Sequence, residues 1–230
     1  MRISKPIIVG ISALMLAGCS GSSVGPNTQG GIAAGAATGA LLGGVLGGSG
    51  RDMALGAALG AVAGGAIGYN LDQQANDIAR SLGTGVNNDP LAYLDPNQDL
   101  IVSNNGKYVK VMFRDSMMFS TNSSRLTSSA SYKVGKVANI LKQYPQTIVE
   151  TAGHTDKRGG YSHNMNLSKE RAKSVANRLY SSGIQNNSYV TGCSYSKPLV
   201  ENSSSSNMAL NRRVEVYLYP NNDVRVDACR

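Results

Sequence analysis

Glycine at every fourth position is the feature that most limits what the first third of this chain can form. Each interior glycine costs a helix in water about 1 kcal/mol relative to alanine, whereas in lipid the same spacing lets helix backbones approach closely. On a helix, period four places the glycines along one slowly drifting face. The pattern therefore predicts closely packed helices and not part of an ordinary core. Two unbroken runs carry it: Gly31, Gly35, Gly39, Gly43 and Gly47, then Gly56, Gly60, Gly64 and Gly68.

The two runs define a helical hairpin. Residues 31–48 and 53–69 carry no charge, and Ser49-Gly50-Arg51-Asp52 lies between them as a plausible turn. Each segment is about long enough to cross a bilayer core, so we predict a membrane-associated hairpin over residues 30–69. A flexible Gly/Ala linker is the alternative. The runs resemble the glycine-zipper segments of bacterial envelope proteins, a resemblance that leaves open whether the hairpin spans, lies in an interface or drives assembly.

The first 18 residues predict a secretion signal. A basic start precedes an apolar run at residues 7–16, which is too short to span a bilayer. Leu16-Ala17-Gly18-Cys19 resembles the lipobox of bacterial lipoproteins, which implies acylation of Cys19 and a polar tether at residues 19–29. Ser20 in place of Asp implies the outer membrane, facing the periplasm, with the inner membrane as the alternative. An ordinary signal peptide followed by a chance cysteine is the competing interpretation.

The net charge and its distribution limit the classes of partner that the chain is expected to bind. The formal net charge is +8, and removal of Arg2 and Lys5 with the signal leaves 20 basic against 14 acidic residues, or +6. The basic residues are scattered and do not alternate with aromatic ones, so the sequence does not favour nucleic acid. A periplasmic wall that carries free carboxylates fits the same charge.

Two cysteines, an even number, remain besides Cys19. With Cys19 lipidated, Cys193 and Cys229 are left in an oxidising compartment. We hypothesise that they form a disulfide that holds the C-terminal tail, residues 221–230, against the domain. Two free thiols are the alternative.

Residues 70–106 are predicted to be a connector. The segment begins with a polar, helix-compatible stretch at residues 71–82 and becomes rich in Gly, Asn, Asp and Pro at residues 83–96. Even partly extended, such a stretch covers several tens of ångströms. We expect it to give the following domain reach.

From residue 107 the sequence becomes that of an α+β domain extending to residue 220. Alternating apolar and polar residues predict strands, helical spacing predicts two helices, and Pro145 and Gly183 mark the helix ends. The predicted order is β-α-β-α-β-β, with a mixed sheet and helices on one face. The predicted elements are strand 108–113, helix 126–144, strand 147–151, helix 167–182, strand 188–191 and strand 214–218.

One loop and the helix after it carry a family signature. Gly153-His154-Thr155-Asp156-Lys157-Arg158-Gly159 leads through Asn164 to Leu167-Ser168-Lys169-Glu170-Arg171-Ala172. This resembles the OmpA-like peptidoglycan-binding family, as does Asn211-Arg212-Arg213-Val214-Glu215 near the end. The sequence departs from the family at His163, where Tyr is usual, and at Asn207-Met208, where Gly-Arg is common. The resemblance covers about half of the chain, residues 107–220.

Asp156 and Arg171 are the main candidate site residues. A carboxylate and a guanidinium in one pocket suit a zwitterion, because the first accepts from an ammonium and the second binds a carboxylate in a fork. The resemblance implies the diaminopimelate of the peptidoglycan stem peptide as that ligand. A plain Asp156–Arg171 salt bridge is the alternative. The resemblance adds further hydrogen-bonding groups and supporting residues, which are Thr155, Asn164, Asn122, Arg212 and Arg213.

The remaining polar residues give no indication of catalysis or metal binding. His154 is expected to brace the loop by hydrogen bonding, and Ser168 to cap its helix. No metal or cofactor is expected, because no H-E-x-x-H and no cysteine pair with zinc spacing occur, and no G-x-S-x-G indicates a hydrolase. The sequence therefore predicts a non-enzymatic tether between membrane and wall. The alternative is an assembly component of a secretion or motor complex that oligomerises through the zipper.

Overall fold

The computed structural model describes residues 33, 36, 67–68 and 70–230. Cys19, the signal sequence and nearly all of the predicted hairpin lie outside these residues, so those predictions stay predictions. Within the part that is described, none of the helices combines the length and the apolar character that crossing a membrane requires.

A five-stranded mixed sheet forms the centre of the domain, in the order β1-β2-β5-β3-β4. Only β3 and β4 run parallel, and the other neighbours are antiparallel. The order β-α-β-α-β-β and the mixed sheet are confirmed, with β1 added before them and two short helices, Asp115–Met118 and Ser205–Asn211, added between the predicted elements. The strands are β1 (Leu100–Asn104), β2 (Val109–Arg114), β3 (Ile148–His154), β4 (Ser188–Gly192) and β5 (Arg213–Tyr219).

Two long helices cover one face of the sheet. The longer helix begins six residues before the predicted start. The sequence does not signal this start, because Gly160 provides no side-chain cap and the first turns of the helix are polar. At the start of the other, the Thr127 hydroxyl accepts a hydrogen bond from the Ala130 amide at 3.1 Å. Gly183, at φ +92°, ends the longer helix. The helices are α1 (Asp115–Met118), α2 (Ser128–Leu141), α3 (Tyr161–Ser181) and α4 (Ser205–Asn211), with a 3₁₀ turn at Ala92–Leu94.

The start of the predicted connector belongs to the core. Residues 70–82 are helical, and five apolar side chains spaced along one face are buried with those of α2, α3 and the sheet: Leu71, Ala75, Ile78, Ala79 and Leu82. A hydrogen bond also holds this N-terminal helix in place, because the Tyr144 hydroxyl donates to Asp77 Oδ2 at 2.9 Å. The connector prediction is corrected, because spacing of i, i+4, i+7 and i+8 buries one face of a helix and β1 lies inside the same segment.

The C-terminal tail covers part of the opposite face of the sheet. Ala228 and Cys193 are buried there with Tyr217 and Tyr219, and Cys229 is joined to Cys193 by a disulfide. The 3₁₀ turn covers a second part of this face through Ala92, which packs with buried residues of β1 and β2. Both faces of the central strands β2, β5 and β3 are therefore largely buried, one under long helices and the other under irregular chain, while the edge strand β4 stays partly exposed.

Candidate functional site

The site lies at one end of the sheet, where three strands meet. The last residues of β2 and β3, Arg114 and His154, both pair with Arg213, the first residue of β5. The residues just beyond these strand ends therefore converge. They line a cleft of about 660 Å³ together with the start of α3. The charged residues of the cleft are Asp115, Asp156, Arg158, Arg171 and Arg212.

Asp156 is enclosed by arginine donors. Arg212 Nη1 donates to Asp156 Oδ2 at 2.7 Å, and Arg158 Nη2 donates to the same oxygen at 2.8 Å. The backbone amide of Arg158 donates to Oδ1 at 2.9 Å. Burial raises the pKa of Asp156, but the hydrogen bonds from Arg158 and Arg212 outweigh it, so the pKa lies below its ordinary value. Asp156 is ionised at neutral pH.

Arg171 is held by Asp115, a residue for which the sequence gives no signal. Its Nη1 lies 2.9 Å from Oδ1 of Asp115, and its Nε donates to the Ser123 carbonyl at 3.0 Å. Arg171 is 4% exposed, and within the described residues its Nη2 has no hydrogen-bond partner. Burial raises the pKa of Asp115, with Arg171 and Arg212 opposing the rise. Arg171 thus has its orientation set by protein groups and one nitrogen left for a ligand.

Arg212 connects the two halves of the cleft. Besides its bond to Asp156, its Nε lies 3.7 Å from Asp115 Oδ2. No ion pair joins Asp156 to Arg171 among the described residues, so the alternative of a plain salt bridge between them is wrong. The carboxylate of Asp156 pairs with Arg158 and Arg212, and Arg171 pairs with Asp115.

The three uncharged residues that were predicted for the site all line the cleft, but their contacts differ. Thr155 is 4% exposed, and its hydroxyl has no hydrogen-bond partner in the described part of the chain. Asn122 lies on the rim with φ +54°, a backbone region that Asn tolerates better than most residues. Asn164 donates from Nδ2 to the Arg158 carbonyl at 2.8 Å. Asn164 therefore braces the loop, Asn122 is exposed at the cleft, and the Thr155 hydroxyl is buried beside it.

His154 and Arg213, which were predicted to support the site, do not line the cleft. The side chains of His154, Arg213 and Glu215 lie in a buried polar cluster, with Arg213 Nε donating to Glu215 Oε1 at 2.9 Å. Among the described residues neither ring nitrogen of His154 makes a hydrogen bond, and Nε2 lies 3.4 Å from Glu215 Oε2. The prediction that His154 braces the loop by hydrogen bonding is therefore wrong, because its side chain points to this cluster.

Ser168 also differs from expectation. Because α3 begins at Tyr161, Ser168 lies two turns inside the helix and cannot cap it. Its hydroxyl donates to the Met165 carbonyl at 2.9 Å and accepts from the Ser194 amide at 3.0 Å. The Ser194 carbonyl in turn accepts from the Thr155 amide at 2.8 Å. Ser168 thus links α3 to the chain beside the Asp156 loop.

Acidification is expected to destabilise the domain through His154. Burial and the nearby Arg213 lower its pKa from the ordinary value of 6.5, although Glu215 opposes them. The unfolded chain takes up this proton more readily, so the stability from neutral His154 is present above about pH 6.5 and is lost as pH falls towards the folded-state pKa. The free energy of unfolding, measured between about pH 7.5 and 5.5, should fall less in His154→Gln than in the parent.

His163→Gln is the matched control for this measurement, because His163 is the other histidine and is exposed. Equal slopes for the parent and His154→Gln would contradict the assignment.

Comparison with known families decides the identity of the domain. The OmpA family matches residues 118–212, which contain most of the cleft. This region is an OmpA family domain. A second family, the YMGG-like Gly-zipper, matches residues 1–72. Both resemblances seen in the sequence are therefore confirmed, and the OmpA domain follows a glycine-zipper region.

Two relatives match this chain over different lengths. The Escherichia coli (strain K12) protein named "Probable lipoprotein YiaD" is 33% identical over 156 residues, which are 67% of this chain and 65% of YiaD. The "Peptidoglycan-binding protein ArfA" of Mycobacterium bovis is 36% identical over 89 residues, 38% of this chain and 27% of ArfA. The chain thus spans less than two thirds of the length of either relative.

A solved structure shares the fold. The cell wall anchor of the T6SS from Pseudomonas aeruginosa superposes with a TM-score of 0.51 at 24% identity. The match covers 63% of this chain and 98% of that one. At this identity the likeness concerns the fold alone.

Proposed function

We propose that this chain is a non-enzymatic envelope lipoprotein that anchors a membrane to the cell wall. Acylated Cys19 and the glycine hairpin hold the membrane, which we infer to be the outer one. The OmpA domain holds the wall by non-covalent binding of the diaminopimelate in the peptidoglycan stem peptide. The observation that carries the proposal is that Asp156 and Arg171 line one cleft and do not neutralise each other.

The cleft is complementary to an amino acid head group. Asp156 offers an ionised carboxylate for an ammonium, and Arg171 offers its unbonded Nη2 for a carboxylate. Arg171 is fixed by Asp115 and Ser123 before any ligand arrives, so less side-chain freedom is lost on binding. Thr155 lines the same cleft, with its unpaired hydroxyl buried behind the surface. Diaminopimelate carries an ammonium and a carboxylate on one carbon, which are the two charged groups that this pair of side chains would bind.

The cleft also supports binding in preference to catalysis. General acid–base work at neutral pH calls for a group whose pKa lies near 7. The lining consists of carboxylates, guanidiniums, amides, hydroxyls and the apolar Phe119 and Leu167, together with His163. His163 is exposed, and no hydrogen bond or ion pair with the described residues orients it as a general base requires. The motif histidine, His154, is buried with Glu215 outside it. We therefore infer that the domain holds the stem peptide without cleaving it.

A second candidate is an assembly role, favoured by the Gly-zipper match over residues 1–72. In that case the zipper would bring copies of the chain, or another envelope protein, together and the OmpA domain would serve as anchor only. The oligomeric state of the full chain in detergent distinguishes the two, because a monomer favours simple tethering.

Sedimentation of the full chain with purified peptidoglycan tests the main proposal. Free diaminopimelate should release the bound protein. Arg171→Ala should weaken binding at least about thirtyfold, since loss of one partner of a buried charged contact costs 2–5 kcal/mol. Lys157→Ala is the matched control, because it removes a charge from the same loop and Lys157 is exposed.

Asp156→Asn provides a second test with little change of shape, and should also abolish competition by diaminopimelate. A parent that stays in the supernatant would contradict the proposal and direct attention to His163 and Asn207-Met208, where the sequence departs from the family. If the parent, Arg171→Ala and Asp156→Asn all sediment equally, the wall is bound elsewhere and the site assignment is wrong.

A further inference from the structure

Asp156 has no vacant position for an ammonium in this structure. A carboxylate has about four lone-pair sites. Arg158 donates from its backbone amide to Oδ1, from Nη2 to Oδ2 and from Nε to both oxygens, and Arg212 Nη1 donates to Oδ2, so each oxygen already has at least two donors. A ligand ammonium can therefore bind only if one of these donors leaves.

The three groups of donors differ in how easily they can leave. The Arg158 amide is part of the turn that Asn164 braces. The Arg212 side chain is 26% exposed and also lies against Asp115. The Arg158 side chain is 66% exposed, and within the described residues its guanidinium contacts no acidic group other than Asp156. An ion pair this exposed is weak, so the Arg158 guanidinium is the donor that leaves.

We propose that Arg158 is a specificity-determining residue: its guanidinium occupies the ammonium position on Asp156, and the ligand must displace it to bind. This inference rests on the proposed function and adds to it an exchange of one cation for another. The exchange conserves the charge next to Asp156, which keeps Arg212 as its other cation throughout.

The exchange determines which ligands the cleft accepts. A ligand that offers only a carboxylate can bind Arg171, but it leaves Arg158 on Asp156. A ligand that offers only an amine must displace Arg158 without support from Arg171. A zwitterion with both groups on one carbon gains both contacts, so Arg158 favours the free amino acid end of a peptide over either group alone.

Calorimetric titration of the full chain in detergent with free meso-diaminopimelate tests the inference. Arg158→Gln removes the competing guanidinium and keeps the backbone amide, so it should bind diaminopimelate about two- to fivefold more tightly than the parent. Lys157→Gln is the matched control: it removes the same charge one residue away, from an exposed side chain, and should bind like the parent. Diaminopimelate has no net charge at neutral pH, so long-range attraction changes little in either variant.

Pimelate, the same dicarboxylate without amino groups, separates displacement from a general effect on the cleft. Arg158→Gln should bind pimelate no better than the parent does, because no ammonium takes the freed position. Equal or weaker binding of diaminopimelate by Arg158→Gln, with a parent that binds, would overturn this inference and leave the proposed function intact. A parent that binds neither diaminopimelate nor peptidoglycan would overturn both.

Discussion

Replacing Gly153 with alanine is expected to unfold the domain or cost it at least about 3 kcal/mol, beyond the usual cost of overpacking. A Cβ at Gly153 would lie 2.0 Å from the backbone oxygen of Ser168 and 2.8 Å from its carbonyl carbon. Both are atoms of α3, so no side chain can rotate away and the helix itself must move off β3. Denaturant unfolding of the parent and variant measures the loss.

Gly85→Ala is the control for Gly153→Ala, because a Cβ at Gly85 would meet nothing within 4 Å. It should change the free energy of unfolding by no more than about 0.5 kcal/mol. A stable Gly153→Ala variant would show that α3 can shift on the sheet, and the position of Arg171 relative to Asp156 would then not be rigid. Stability of the fold and geometry of the cleft thus depend on the same contact between strand and helix.

Much of this architecture could be predicted from local patterns. Alternation in residues 108–113 and 214–218 and the stops at Pro145 and Gly183 led to the strands and helices of the OmpA domain, since each pattern depends on neighbours in sequence. The start of α3 could not be predicted, because residues 161–166 show no apolar periodicity. The N-terminal helix had the periodicity, from Leu71 to Leu82. The stretch after this helix is rich in Gly, Asn and Pro and favours a connector, which conceals the helix in the sequence.

The candidate site, too, could be predicted from the sequence only in part. Asp156 and Arg171 could be found because both belong to the family signature, which lies on one loop and the helix that follows it. Asp115 could not, since a single acidic residue after a strand gives no signal and its contact with Arg171 spans 56 residues of chain. The partners of Asp156 were equally hidden: which of several arginines pairs with it depends on how β2, β3 and β5 align at their ends.

Loss of Arg213 is expected to be the second most damaging change, at about 3–5 kcal/mol for Arg213→Met, because removing one partner leaves a buried charge unpaired. Neither side chain of the Arg213–Glu215 pair is more than 1% exposed. Arg213 is the cation nearest to Glu215, and Lys110 Nζ is farther away at 3.7 Å. Although burial raises the pKa of Glu215, Arg213 is the largest of the influences that hold it well below the ordinary value. Without Arg213 the domain must keep an under-neutralised carboxylate or bind a proton.

The double variant Arg213→Met/Glu215→Gln shows where that cost comes from. The glutamine introduced in place of Glu215 is uncharged and can still accept the hydrogen bond that the Tyr217 hydroxyl donates at 2.5 Å, so the double variant should be more stable than Arg213→Met alone. The deficit of the single variant should also shrink as pH falls, because protonation neutralises Glu215. A double variant no more stable than the single one would place the cost elsewhere. Its source would then be the carbonyls of Asn211 and Lys197, to which Arg213 donates at 3.0 and 3.1 Å, and the buried carboxylate would need no arginine.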